Sequence, residues 1–153
     1  MGKVSEELLV PASLAEVWDL YFTDSTWPTW ADQFHAVESV SENYPETGGQ
    51  LVWRSGPAGR GTVTETVLEH EPRRLHRIRF ADQHAEGEQT TTFALEGQGT
   101  KVSLALVYGL MHAGPLGPVT DRLFVRTQMR RSLIRSLQGL ASEAREPAPP
   151  DPS

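Results

Sequence analysis

The segment PLGPVTDRLFVRTQMRRSLIRSLQGLASEA, residues 115–144, constrains the architecture more than any other. It reads as one long helix, opened by Gly114-Pro115-Leu116-Gly117-Pro118 and running to about Ala144. With Leu116 at zero and about 100° per residue, positions 116, 119, 123, 127, 130, 134, 137 and 141 fall in one wedge. Most are apolar, but Thr127 and Arg130 lie in the middle of the stripe and Arg126 at its margin. A helix greasy at both ends and polar between them predicts a hollow beneath its centre. Val125 falls on the outward side beside Phe124, which leaves a homodimer contact open.

Everything upstream supplies what this helix covers. Val4 to Val10 alternates and stops at Pro11, as a first strand does where proline removes a ladder donor. Ser13 with Glu16 forms a capping box for a helix carrying Val17, Leu20 and Tyr21 on one face. A second, short helix is expected within Asp24 to Phe34, with Pro28 in its first turn. Beyond Phe34 the hydrophobic period falls from about 3.6 to 2. Six strands are expected at 35–41, 49–55, 61–69, 75–81, 88–95 and 101–110. The breaks between them are Pro45 to Gly49, Gly56-Pro57-Ala58-Gly59, Glu71-Pro72, Glu86-Gly87 and Gly97-Gln98-Gly99. Connections this short allow only antiparallel neighbours, so seven strands form one antiparallel sheet with one face under the long helix.

Composition narrows the function. The 153 residues suit one domain, expected over 1–145, with E-P-A-P-P-D-P-S at 146–153 a disordered tail. Zero Cys excludes thiol chemistry and disulfides. A net charge of −6 argues against nucleic acid as partner, because phosphate binding needs clustered base. Six Arg (122, 126, 130, 131, 135, 145) against Asp121 and Glu143 nevertheless give the last helix +4, which predicts a basic rod on an acidic body. Apolar runs are far shorter than the roughly 20 residues of a membrane helix, and Met1 to Glu7 has no signal pattern, so no integral membrane contact and a cytoplasmic location are expected. The five His stand on separate segments without metal-ligand spacing, and no nucleotide loop follows a strand, so neither metal nor cofactor is expected.

The period of two in Val63-Thr64-Glu65-Thr66-Val67 puts Glu65 on the valine face, where a carboxylate needs a partner. Arg130 or Arg126 on the opposing helix is the expected one, either in a plain ion pair or in a site where Glu65 is a general base or the arginine anchors an anion. Tyr108 shares a face with Val102, Leu104, Leu106 and Leu110, and His112 follows in the next turn; with Glu65 they are the catalytic candidates. In Leu75 to Phe80 either His76, Ile78 and Phe80 or Leu75, Arg77 and Arg79 face inward, and the apolar count favours the set with His76. Trp30, Trp53 and Phe93 supply aromatic wall. The expected ligand-binding set is thus Trp30, Trp53, Glu65, His76, Phe93, Tyr108, His112, Arg126, Thr127 and Arg130.

Val10-Pro11-Ala12-Ser13 with Glu16-Val17-Trp18, Trp27-Pro28-Thr29-Trp30, Glu71-Pro72-Arg73-Arg74-Leu75, and Gly114-Pro115-Leu116-Gly117 leading to Arg130-Arg131-Ser132-Leu133 together resemble the START-like (SRPBCC) superfamily. Within it the polyketide cyclase/dehydrase and lipid-transport group is the nearest in pattern. The resemblance implies an α+β helix-grip fold of the birch-pollen-allergen type, holding a hydrophobic ligand between sheet and helix. It implies no particular reaction. Two readings follow: a carrier of a polyketide, lipid or isoprenoid-like molecule, or a cofactor-free cyclase, aromatase or dehydratase using acid/base residues in the same cavity. A protein-interaction module would instead show a solid core and an exposed apolar patch.

Overall fold

A computed structural model describes residues 2–56, 60–110 and 124–145. The expected start of the last helix at 114–123, His112, the middle of the Gly56–Gly59 turn and the proline-rich tail lie outside the described residues.

The elements run β1 (Gly2–Val10), α1 (Leu14–Tyr21), a 3-10 turn (Asp24–Thr26), α2 (Trp27–Trp30), β2 (Phe34–Val40), β3 (Gln50–Ser55), β4 (Thr62–Glu71), β5 (Leu75–Ala81), β6 (Ala85–Glu96), β7 (Gly99–Leu110) and α3 (Arg126–Arg145). The strands form one sheet in the order β1-β7-β6-β5-β4-β3-β2, every pairing antiparallel. β1 and β2 therefore lie at opposite edges, six strand spacings or roughly 29 Å apart along the sheet. The chain between them must cross one face. That crossing is made by α1 and α2, which is why both helices sit beside α3 over the sheet.

Local chemistry fixes the crossing. Pro11 follows the last ladder residue of β1, and Ser13 Oγ accepts from Glu16 N at 3.2 Å to cap α1. Thr100 Oγ1 donates to Ala12 O at 2.9 Å and ties the turn to β7. Pro28 occupies the first turn of α2, where its missing N–H costs nothing. The buried face is the alternating one: Leu51 and Trp53, Val63 and Val67, Ile78 and Phe80, Val102, Leu104, Leu106 and Tyr108. In β5 the inward set is the one with His76.

Two expectations require correction. The Glu86-Gly87 break is no turn: β6 already starts at Ala85, and the reversal is made by Asp82, whose Oδ1 accepts from His84 N (2.8 Å) and Ala85 N (2.9 Å). Gly87 lies in the ladder opposite Phe80 and Tyr108, where a Cβ would strike the Val107 carbonyl and come within 2.8 Å of Tyr108 Cα. The inward face of α3 is also rotated, by roughly half a residue step, so that of the expected stripe Leu137 and Ala141 stay inward. Leu133, Leu137, Leu140 and Ala141 are buried, whereas Thr127 and Arg130 are exposed. The described helix opens with a wide π turn at Phe124–Val125, and Leu116, from which the stripe is counted, lies outside the described residues. Val125 packs against the core, and only Phe124, 59 % exposed, stands outward.

Arg130 Nε lies 3.1 Å from Glu6 Oε1, an ion pair that ties α3 to the edge strand β1. Its side chain is 51 % exposed, so this pair is worth at most about 1 kcal/mol. Arg130→Ala should lower the unfolding free energy by no more than that in urea titrations and leave the affinity of any cavity ligand unchanged. A tenfold loss of affinity would return Arg130 to the site.

Candidate functional site

Between the concave face of the sheet and the three helices lies a cavity of about 130 Å³. A cavity of about 150 Å³ accommodates one benzene ring, so this one suits a single aromatic ring. The sheet supplies Leu51 and Trp53, Glu65, His76 and Ile78, Gln89 and Thr91, and Leu104. Tyr21, Trp27 and Trp30 come from the crossing helices, and Asp32, Phe34 and Tyr44 from the chain beyond them. Ser132, Leu133 and Ser136 close it from α3. The rings support one another: Phe34 stacks on Trp53 (5.0 Å, 25°), Trp27 meets Phe34 edge-on at 5.6 Å, and Tyr21 lies 5.2 Å from Trp30.

Into this aromatic box the pleat of β4 projects Glu65. Trp53 Nε1 donates to Glu65 Oε2 at 2.7 Å. Burial raises the Glu65 pKa above the ordinary carboxylate value; the Trp53 hydrogen bond and the Arg60 charge act against that shift. Arg60 cannot fully compensate, because it is already engaged. Its Nε donates to Asp82 Oδ2 at 2.7 Å, and its guanidinium carbon lies 5.0 Å from the Phe80 ring and 5.5 Å from that of Trp53. The expected Glu65 partner, Arg130 or Arg126, is thereby corrected: Arg130 turns to β1, and Arg126 does not reach the cavity wall.

Two phenols and two histidines complete the polar set. Tyr21 Oη and Thr91 Oγ1 are 2.8 Å apart, and burial pushes the Tyr21 phenol up to about 12 against the Thr91 and Gln89 hydrogen bonds. Burial, reinforced by the charge of Glu65, also raises Tyr44, so both phenols keep their hydrogens. His76 is 3 % exposed and pushed down to about 3, first by burial and then by His70, whose Nδ1 lies 3.0 Å from its own. The other nitrogen of His76, Nε2, is buried without a hydrogen-bond partner, as is Asp32 Oδ2. The backbone N–H of Asp32 is held by Ser136 Oγ at 2.9 Å, fixing the loop against α3. The cavity thus offers hydroxyl, amide and imidazole groups on aromatic walls together with Asp32, Glu65 and Arg60, and burial biases the Glu65 carboxyl toward its protonated form.

Of the residues expected from the sequence, Trp30, Trp53, Glu65 and His76 come together on this wall. Phe93 is buried behind it, against Trp18 (4.9 Å) and Tyr21 (5.3 Å). Tyr108 is fully buried farther along the sheet, its ring in the space a Gly2 side chain would take. Arg126 lies in the first turn of α3 with a buried Nε, while Thr127 and Arg130 face solvent. Tyr21, Asp32, Tyr44, Arg60, Gln89, Thr91 and the two serines were not expected. Gln89 and Thr91 were accessible in principle, since they alternate in phase with Phe93.

The sheet gripping a C-terminal helix around a hollow defines a helix-grip, START-like domain. Residues 1–145 match the family described as "Polyketide cyclase / dehydrase and lipid transport", and the chain belongs to that family. Its fold is shared by TTHA0849 of Thermus thermophilus (23 % identity, 94 % of this chain and 97 % of that one, TM-score 0.71). The Zhui aromatase/cyclase of Streptomyces sp. R1128 is similar as well (19 %, 94 % and 93 %, TM-score 0.70). So is a truncated norcoclaurine synthase of Thalictrum flavum (13 %, 96 % and 95 %, TM-score 0.69). No curated protein matches the sequence closely enough to count as a relative. Among the described residues no helix is long and apolar enough to cross a membrane.

Proposed function

We propose that the cavity binds a small, uncharged aromatic molecule carrying a hydroxyl or carbonyl group, the kind of ring a polyketide presents. The observation that carries this reading is the buried, unpartnered Nε2 of His76 on an aromatic wall. A buried polar atom without a partner costs about 1–3 kcal/mol, which a ligand atom placed against it would recover. The small volume and polar lining favour a substituted ring over an acyl or isoprenoid chain. Calorimetric titration of the full chain with phenol and toluene tests the reading. Phenol is expected to bind at least tenfold more tightly. Equal affinities would mean recognition by shape alone, and no binding of either would remove the ligand site.

A second reading, proton transfer beside an enol or enolate, is favoured by Glu65. A carboxyl whose pKa is raised by burial holds a proton it can give and take back, and Tyr21 and Tyr44 line the same cavity as candidate donors to an oxyanion.

A further inference from the structure

A slip of register in β4 turns His70 toward the cavity side. Val63, Glu65 and Val67 occupy the concave face, and an unbroken pleat would send His70 to the other one. Between Val67 and Glu69 the ladder gains one residue, so Glu69 pairs with Arg77 and His70 comes to lie opposite His76. Bulges re-aim side chains in this way. The outcome is the 3.0 Å contact between the two Nδ1 atoms, one end of it half-buried at His70 and the other buried at His76.

Such a contact holds one hydrogen: one Nδ1 donates and the other accepts. A neutral imidazole has a single N–H, so whatever happens at Nδ1 of His76 dictates its Nε2. If His76, a residue of the cavity wall, accepts from His70, its Nε2 carries the hydrogen; if it donates, its Nε2 presents a lone pair. We infer that His70 is a positioning residue that sets whether His76 offers the cavity a donor or an acceptor, and so selects between ligands by hydrogen-bond polarity. The selection of ligands rests on the binding reading above; the control of the tautomer does not.

Protonated His70 has only donors, so it forces the Nε2–H form of His76. The surroundings decide when this occurs. Trp18 of α1 and Phe22 just after it pack on His70 at 5.2 and 5.3 Å, and Phe22, Tyr21 and Tyr44 surround His76. Thr91 pairs with His76 from β6, and Glu65 exerts its charge on Tyr21 and Tyr44. Burial lowers the His70 pKa below 6.5, and Glu46 opposes it. The lone-pair form of His76 is therefore available at neutral pH and lost as pH falls through the His70 titration.

Long-range ¹H–¹⁵N spectra of the full chain between about pH 8 and about pH 5 read the tautomer directly. His76 is expected to remain neutral and to convert wholly to its Nε2–H form with the midpoint of His70, a coupling that His70→Phe removes. A His76 tautomer indifferent to the His70 titration would overturn the inference, and this measurement needs neither a variant nor a ligand. Affinity tests the consequence. Indole, which only donates, should bind about tenfold more weakly once His70 is protonated, whereas acetophenone, which only accepts, should hold or tighten. Parallel pH dependence of the two would refute the selection. If neither probe binds at any pH, the ligand reading falls, and the spectra still decide what His70 does.

Discussion

Glutamine in place of Glu65 is expected to stabilise the protein at pH 8. The carboxyl is buried with Trp53 Nε1 as its close donor, while Arg60 is engaged by Asp82. Its folded-state pKa lies above the unfolded value of 4.5, so the folded chain holds a proton that the unfolded chain releases. Stability contributed by Glu65 is fully present below 4.5 and is lost as pH rises through the folded value. Glutamine keeps an acceptor for Trp53 and does not titrate. Glu65→Gln should therefore match the wild type near pH 4.5 and exceed it at pH 8 by on the order of 1–3 kcal/mol, the cost of a desolvated polar group short of partners. Urea unfolding across that interval measures the difference. A variant less stable than wild type at pH 8 would mean that Arg60 outweighs burial. If Glu65 transfers protons during a reaction, the same change should also lower the rate by roughly 10²–10⁴ with phenol affinity altered less than tenfold.

Valine at Gly139 should have the opposite effect on stability, and a larger one. α3 reaches α2 so closely here that a Cβ on residue 139 would lie 2.6 Å from the Trp30 carbonyl oxygen and 2.9 Å from Trp30 Cα. The obstacle is backbone, which a rotamer change cannot relieve, and Trp30 is further held by its Nε1 donating to Thr26 Oγ1 at 3.0 Å. Gly139→Val should cost about 3 kcal/mol and lower Tm by roughly 6–12 °C, with phenol binding weakened because α2 carries two walls of the cavity. Gly139→Ala meets the same collision but recovers about 1 kcal/mol of helix propensity, so it should fall between. An alanine variant about 1 kcal/mol more stable than the wild type in thermal unfolding would show that the helices can separate without penalty.

What could be read from the sequence follows the reach of periodicity. Alternation placed Glu65 beside Val63 and Val67 but left two sets open in β5, of which the apolar count favoured His76, Ile78 and Phe80, the set found on the inner face. Turn chemistry and the Ser13 cap located the elements, although Asp82, rather than Gly87, makes one reversal. The facing of α3 went astray because the phase was counted from Leu116, outside the described residues, whereas the described helix opens with a π turn that no residue type announces. Asp32, Tyr44 and Arg60 lie outside regular elements, and no period can aim such residues. Nor does any glycine mark the bulge at Val67–Glu69, so the facing of His70 and His76 emerges only from the ladder itself.

The distribution of indoles gives the molecule two optical gauges without a label. Trp27, Trp30 and Trp53 border the cavity, so an occupant changes their emission. Trp18, the fourth and last, lies against His70 instead, where an imidazolium quenches its neighbour and a neutral ring does not. Filling of the hollow and charging of the outer histidine thus write separate signals into one spectrum.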